Sequence, residues 1–147
     1  MSFAVSHGNL FTQLNDLAAG IHNNVSQAIR VATDAAYADA KNTTLFKDRS
    51  GDLRGSIGET VDGLSGKVFR GTKKYYGFVA NGTRPHRIEG NPFLSFMWKG
   101  VRVSFRYVNH PGTAPRPFMQ HAYGVAERTL SAVGERFADS AIRRFNS

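Results

Sequence analysis

Residues 93–108, which read FLSFMWKGVRVSFRYV, decide the fold of this chain. On both sides of Lys99-Gly100, apolar residues occupy every second position. Such alternation around a short turn is typical of a β-hairpin with one apolar face. The apolar face comprises Leu94, Phe96, Trp98, Val101, Val103, Phe105 and Tyr107. The other face of the second strand carries Arg102 and Arg106, so we expect it to be half solvated or to meet a partner.

A long helix is predicted before the strands. Apolar residues recur at steps of three and four, which places them on one helical face: Leu10, Leu14, Leu17, Ile21, Val25, Ile29, Ala32 and Ala36. The pattern continues to about Lys41 and implies a length of about 45 Å if the helix is continuous. Gly20 leaves two alternatives, a continuous helix and one that kinks or breaks there. A core-facing helix is favoured over a partner-binding one, although a small domain does not easily cover this length.

The remaining elements complete an α+β pattern. Residues 58–72 predict a β-like stretch with a turn at Asp62-Gly63 or at Ser65-Gly66. Residues 75–80 favour a short helix over a strand, and Asn81-Gly82 would end it. A second long helix is predicted from about Arg116 to Phe145, with Pro117 at its start. We therefore expect a single domain over residues 1–147, with a long N-terminal helix, a central and mostly antiparallel sheet, and a long C-terminal helix.

The composition excludes several classes of protein. The 147 residues include no cysteine, which excludes a disulfide scaffold, a cysteine nucleophile and a cysteine-ligated metal. No apolar run approaches the roughly 20 residues of a membrane span, and the N-terminus does not resemble a signal peptide. We therefore expect no membrane partner and synthesis inside a cell.

The charge is concentrated in the middle of the chain. Residues 41–120 contain fourteen basic and five acidic residues, a net charge of 14 − 5 = +9, within a total of +8. The partner of this segment is either a polyanion, most plausibly nucleic acid, or an acidic protein. The candidate DNA-contacting or interface residues are Arg70, Lys73, Lys74, Arg84, Arg87, Arg102, Arg106 and Arg116, with Lys67 as a further candidate. No helix has the dense basic face of a major-groove reader, so DNA contact would be directed to the backbone.

The sequence does not predict an enzyme, a cofactor or a metal site. His86 and His110 each adjoin a proline, but a metal site would need a third ligand nearby. We interpret both histidines as hydrogen-bonding to backbone in tight loops. The acidic residues in this region are interpreted as ion pairs and turn caps: Asp48, Asp52, Glu59 and Asp62. No Gly-x-Ser-x-Gly motif or phosphate-binding loop occurs.

Four segments resemble, in order, those of a family of small neck or tail-completion proteins of tailed bacteriophages. They are SGDLRGSI at 50–57, YYGFVANGTRPHRI at 75–88, the hairpin at 94–108, and HPGTAPRPFM at 110–119. Asn81 stands where the family usually has an acidic or aromatic residue. The resemblance implies an α+β virion protein located in the neck or tail, without catalysis, that forms a ring of sixfold or twelvefold symmetry.

The resemblance also implies the partners. They would be further copies of the chain and other neck and tail proteins, namely a connector or stopper, a terminator and the tail tube. The basic segment would face the DNA in the lumen of the ring. A tail terminator that caps the tube is an alternative within the family. The alternatives outside it are a free nucleic-acid-binding protein and a phage enzyme such as a nuclease.

Overall fold

The computed structural model describes residues 7–71 and 73–145, and the predicted α+β class is confirmed. Thr72, at the end of the predicted β-like stretch, lies outside these residues. The elements along the chain are α1 (His7–Asn42), α2 (Asp52–Gly55), β1 (Gly58–Asp62), β2 (Ser65–Phe69), α3 (Tyr76–Asn81), β3 (His86–Trp98), β4 (Val101–His110) and α4 (Phe118–Phe145).

The two long helices, α1 and α4, pack antiparallel along each other. Ala36 and Ala40 of α1 lie in one buried cluster with Phe118 and Ala122 of α4. At the opposite end, residues 16–24 line a shared groove with residues 140–141. The alanines of α1 allow this close approach because their side chains add little bulk. Helix α1 is continuous through Gly20, which settles the alternatives left by the sequence.

The N-terminal half of the apolar stripe on α1 is not buried, so the expectation of a core-facing helix was wrong for this half. Leu14, Leu17, Ile21 and Val25 are between 42% and 56% exposed. The reason is the placement of the other elements, which gather at the C-terminal half of α1 and leave α4 as its main neighbour at the N-terminal end. The side chain of Leu10 lies outside the described part.

The strands form two separate two-stranded sheets rather than the single central sheet that the sequence predicted. The first, β1–β2, is antiparallel and turns at Gly63-Leu64, which favours the Asp62-Gly63 alternative. It lies against the middle of α1, where the Ser26 hydroxyl donates to the Gly63 carbonyl at 3.0 Å. Gly66 sits so close to Thr33 that a Cβ there would lie 1.9 Å from the threonine oxygen.

The second sheet, β3–β4, is a long hairpin that projects from the body, and residues 86–110 are called the arm below. Its turn lies at Lys99-Gly100, as predicted, but its strands start and end further out than 93–108. A register shift lies between Glu89 and Leu94. None of the residues 86–110 is buried. The arm is therefore held by its attachment to the body, called the root below, and by the hydrogen bonds between its two strands.

Helix α4 begins at Phe118, two residues later than predicted. Arg116 does not enter the helix because it precedes Pro117, and a residue before proline is biased away from the helical conformation. Its backbone N–H donates to the carbonyls of Val79 and Ala80, both at 3.1 Å. The short helix favoured at residues 75–80 is confirmed as α3, and Gly82 ends it with φ of 70°.

The folded chain leaves a large surface exposed, and many of its large apolar side chains contribute to it. Its accessible area is 11551 Å², whereas a compact monomer of this length would expose about 7500 Å². Among the residues whose burial the structure describes, the larger fully or nearly buried side chains are Phe46, Leu53, Ile57 and Phe118, and alanines supply the rest of the apolar core. Large uncovered apolar surfaces on a protein mark interaction sites.

Candidate functional site

Arg54, within the segment SGDLRGSI, closes the C-terminal end of α1. Its guanidinium donates to the carbonyl of Lys41, to that of Thr43 at 2.6 Å and to that of Phe46 at 3.2 Å. It also lies over the Phe46 ring, 4.7 Å from the centroid. The last carbonyls of a helix have no partner within the helix. Arg54 therefore satisfies the end of α1 and fixes the turn that follows it.

Asp48 holds the same segment from the other side. Its two carboxylate oxygens accept from the backbone N–H groups of Gly51 and Arg54, at 3.1 and 2.8 Å. This agrees with the interpretation of Asp48 as a turn cap. Leu53 and Ile57 are buried in the cluster around Phe118. The segment is thus a structural junction between α1 and the start of α4.

Glycine and threonine pairs close the root of the arm. The backbone N–H groups of Thr83 and Thr113 each donate to the other residue's carbonyl, at 3.0 and 3.1 Å. Gly82 and Gly112, which precede them, have φ of 70° and 84°. A Cβ on Gly82 would lie 2.3 Å from the Thr113 carbonyl oxygen, and one on Gly112 would lie 2.3 Å from that of Thr83. Both positions therefore require glycine.

The segment HPGTAPRPFM ties this root to the end of α1. The Arg116 guanidinium donates to the Leu45 carbonyl at 2.6 Å. The Phe118 ring packs 4.7 Å from that of Phe46 and 5.5 Å from that of Tyr76. The ends of α1, α3 and α4 and the root of the arm therefore meet at one place, called the junction below.

His86 and His110 lie side by side at the root, with ring centroids 5.1 Å apart. Both bond to backbone. His86 Nδ1 lies 2.9 Å from the Arg84 carbonyl, and His110 Nδ1 accepts from the Gly112 N–H at 3.1 Å. Within residues 7–71 and 73–145, no group of three or more potential ligands is arranged to hold a metal ion.

The structure divides the predicted basic residues into two groups. Arg70 lies over Tyr76, Lys73 is 3.7 Å from Asp52, Arg87 is 3.1 Å from Glu89, and Arg116 holds Leu45. The other four are exposed and have no such partner in the part of the chain that the structure describes: Lys74, Arg84, Arg102 and Arg106. The eight residues therefore do not act as one set, because half of them serve intramolecular contacts.

The two faces of the arm differ in chemistry. Directly opposed pairs place the residues of one face together, namely Leu94 with Phe105, Phe96 with Val103 and Trp98 with Val101. We call these six residues the arm face. Four of them, Phe96, Trp98, Val103 and Phe105, border an open groove of about 310 Å³ together with Tyr107 and Val108. Trp98 and Val101 are 61% and 64% exposed. The opposite face carries Arg102 and Arg106.

Replacing Arg54 with alanine is expected to lower the free energy of unfolding by about 2 to 3 kcal/mol, because hydrogen bonds to a charged donor are lost and helix-end carbonyls are left unsatisfied. Urea titration followed by circular dichroism measures the change. Arg49→Ala is the matched control, since Arg49 is an exposed arginine of the same loop, and it should change stability by less than about 0.5 kcal/mol. Equal effects of the two variants would contradict the capping role.

Glu59 on β1 is an acidic residue whose ionised form destabilises the fold. Its Oε2 atom is buried without a hydrogen-bond partner. Desolvation by burial raises the pKa of Glu59 above its ordinary value, and Asp34 raises it further. A raised folded-state pKa favours the protonated carboxyl. The ionised form therefore destabilises the fold increasingly as pH rises above the ordinary value of 4.5 towards the folded pKa.

Glu59→Gln is therefore expected to raise the melting temperature at pH 7 and to leave it nearly unchanged at pH 4, because both side chains are then neutral. Thermal melts at the two pH values measure this difference. Glu89→Gln is the control, since Glu89 is exposed and paired with Arg87, and it should give no gain at pH 7. A gain for Glu59→Gln that is the same at both pH values would contradict the electrostatic cause.

Comparisons with known proteins do not assign a family. No family model, curated protein or solved structure matches the chain. No helix among the described residues is both long enough and apolar enough to cross a bilayer. The function is therefore argued from the contacts described above and from the four segments quoted from the sequence.

Sequence reasoning missed Arg54 and the exposed stripe of α1. The carbonyls that Arg54 binds lie 8 to 13 residues before it, so no short sequence motif predicts these hydrogen bonds. The stripe did carry a signal, since the predicted helix was longer than a small domain easily covers. The sequence did identify the apolar face of the arm and the basic face behind it.

Proposed function

We propose that this chain is a structural virion protein of a tailed phage, a neck component that forms a ring and joins the DNA-filled head to the tail. The observation that carries the proposal is the large exposed surface, to which many large apolar side chains contribute. The chain exposes 11551 Å², and the excess over a compact monomer is about 4000 Å². A protein that works inside an assembly covers such a surface with its neighbours.

The junction supports the same proposal. All four segments that resemble the neck and tail-completion family lie in the junction or in the arm that it anchors. Several of their polar groups hold backbone, as Arg54 and Arg116 illustrate. A rigid root that presents an extended arm is suited to binding other proteins.

The basic face of the arm favours contact with DNA as a second part of this function. Arg102 and Arg106 are exposed and have no described partner. In a ring around packaged DNA, such cations would contact phosphates without reading sequence. The same observation is the argument for the alternative of a free nucleic-acid-binding protein. That alternative requires tight, steeply salt-dependent binding of a DNA duplex by the monomer.

The proposal is tested by deleting the gene from the phage that encodes it and examining the lysate by electron microscopy. DNA-filled heads beside finished but unattached tails are expected. Overlong tails would assign the chain to the tail terminator instead. Normal infectious particles would overturn the structural function, and duplex binding by the purified monomer would then decide for the nucleic-acid-binding alternative.

A further inference from the structure

We propose that the arm face of one copy docks on the exposed stripe of α1 of the next copy. The stripe consists of Leu14, Leu17, Ile21 and Val25, and the arm face of the six residues defined above. This inference rests on the proposed function for the assembly that it builds, and it adds which surfaces form the subunit contact.

Both surfaces are continuous and about half exposed, and on the stripe Leu17 and Ile21 also border the groove shared with Ser140 and Ala141 of α4. The four residues of the stripe follow one another at helical steps of three and four, and each is at least 42% exposed. On the arm face, Trp98, Val101 and Phe105 are 49% to 64% exposed. Apolar residues scattered singly over a surface need no explanation, but contiguous patches of this kind mark interaction sites.

A copy does not cover its own stripe with its own arm, because neither β3 nor β4 packs along α1 in the described chain and the stripe side chains stay at least 42% exposed. The arm is rooted at the junction, beside the C-terminal end of α1. Val25 lies 17 residues before the end of the helix at Asn42, a distance of about 25 Å at 1.5 Å per residue. Contact between these surfaces is therefore head-to-tail between copies. Such heterologous contacts close into rings when the rotation between subunits allows it.

Charge favours this pairing over an arm against a second arm. Residues 86–110 carry four basic residues and one acidic residue, 4 − 1 = +3. Residues 7–29 of α1 carry a single charged residue, Asp16, and so a charge of −1. An arm on an arm would place +3 beside +3, whereas an arm on α1 places opposite charges together. Complementary charge steers association and disfavours the wrong partner.

The dimensions of the two surfaces also agree. From Leu14 to Val25 the stripe is about 16 Å long, and from Leu94 to Trp98 the arm face is about 13 Å long. The groove of about 310 Å³ among the arm residues offers a recess for the stripe side chains. A stable interface buries about 800 Å² on each partner. Two such interfaces on each ring subunit fit within the excess exposed surface of about 4000 Å².

The test is disulfide cross-linking. No native thiol can form a competing disulfide, because the natural chain has no cysteine. One protein carries both Ile21→Cys and Phe105→Cys, and each single variant is made separately. Mild oxidation of the double variant is expected to give a ladder of covalent multimers on a non-reducing gel. The matched control exchanges Phe105→Cys for Met97→Cys, because Met97 is even more exposed, at 62% against 49%, but lies on the opposite face of the same arm. It should give at least tenfold less cross-linked product.

Native mass spectrometry of the unmodified protein separates the inference from the proposed function. Rings in the mass spectrum, together with no ladder of cross-linked multimers from the double variant, would overturn the arm-to-α1 contact and leave the neck function standing. Cross-linked dimers from Phe105→Cys alone would overturn the contact in favour of an arm against an arm, and dimers from Ile21→Cys alone in favour of a helix against a helix. A chain that stays monomeric at all concentrations would overturn both the contact and the ring. Circular dichroism and melting of each variant should match the wild type, because these side chains are exposed.

Discussion

Replacing Phe118 with alanine is expected to lower the free energy of unfolding by about 4 kcal/mol, the usual cost of removing a fully buried phenylalanine. Phe118 is 0% exposed and packs against Phe46 and Tyr76. Few other large side chains are buried in the described part of the chain, so little apolar bulk is available nearby to fill the cavity. A loss of this size is a large part of the stability of an ordinary domain, which is about 5 to 15 kcal/mol.

Urea unfolding followed by circular dichroism at the helix band measures this loss. Tyr123→Ala is the control, since Tyr123 lies five residues further along α4 and is 66% exposed. The free monomer should tolerate it within about 0.5 kcal/mol. A loss below about 1 kcal/mol for Phe118→Ala would mean that the junction is not the core of the fold.

The local patterns of the sequence were sufficient to predict the elements. The alternation around Lys99-Gly100 fixed the turn and the two faces of the arm, because side chains in a strand point alternately to opposite sides. The steps of three and four fixed both long helices for the same kind of local reason. The ends were less accurate: α4 starts at Phe118, because Arg116 precedes a proline and is biased away from the helical conformation.

What the sequence could not provide is which element covers which face. The stripe on α1 has one period from end to end, yet its C-terminal alanines are buried and its N-terminal leucines are exposed. A helical period shows that a face is apolar and leaves open whether the chain itself or another copy covers it. The prediction of a single sheet was wrong for the same reason. Local alternation identifies the strands, whereas packing decides which strands pair with each other.

The candidate site shows the same limit for charged residues. A basic residue in the sequence is free only if no distant group binds it. Arg116 is held by Leu45, 71 residues away, and Lys73 by Asp52. Arg102 and Arg106 make no such contact in the described chain, because they lie on an exposed face of the arm. Composition therefore identified all the candidate basic residues, and their positions in the fold showed which of them have no intramolecular partner.

Replacing Gly112 with alanine is expected to destabilise the chain by about 4 kcal/mol through two separate costs. A left-handed backbone costs a residue with a Cβ about 1 to 2 kcal/mol, and φ at Gly112 is 84°. The new Cβ would also lie 2.3 Å from the Thr83 carbonyl oxygen. Relieving that overlap requires the backbone to shift, which adds about 1 to 3 kcal/mol and breaks the paired hydrogen bonds between Thr83 and Thr113.

Gly100→Ala separates the two costs, because Gly100 has nearly the same φ, 85°, and nothing within 4 Å of an added Cβ. It should lose only the conformational part, about 1 to 2 kcal/mol. Urea unfolding of both variants measures the difference, and hydrogen exchange at the Thr83 and Thr113 amides reports whether the root of the arm has opened. Faster exchange is expected at these amides in Gly112→Ala and not in Gly100→Ala. Equal stability losses in the two variants would mean that the close approach of the two segments does not hold the arm to the junction.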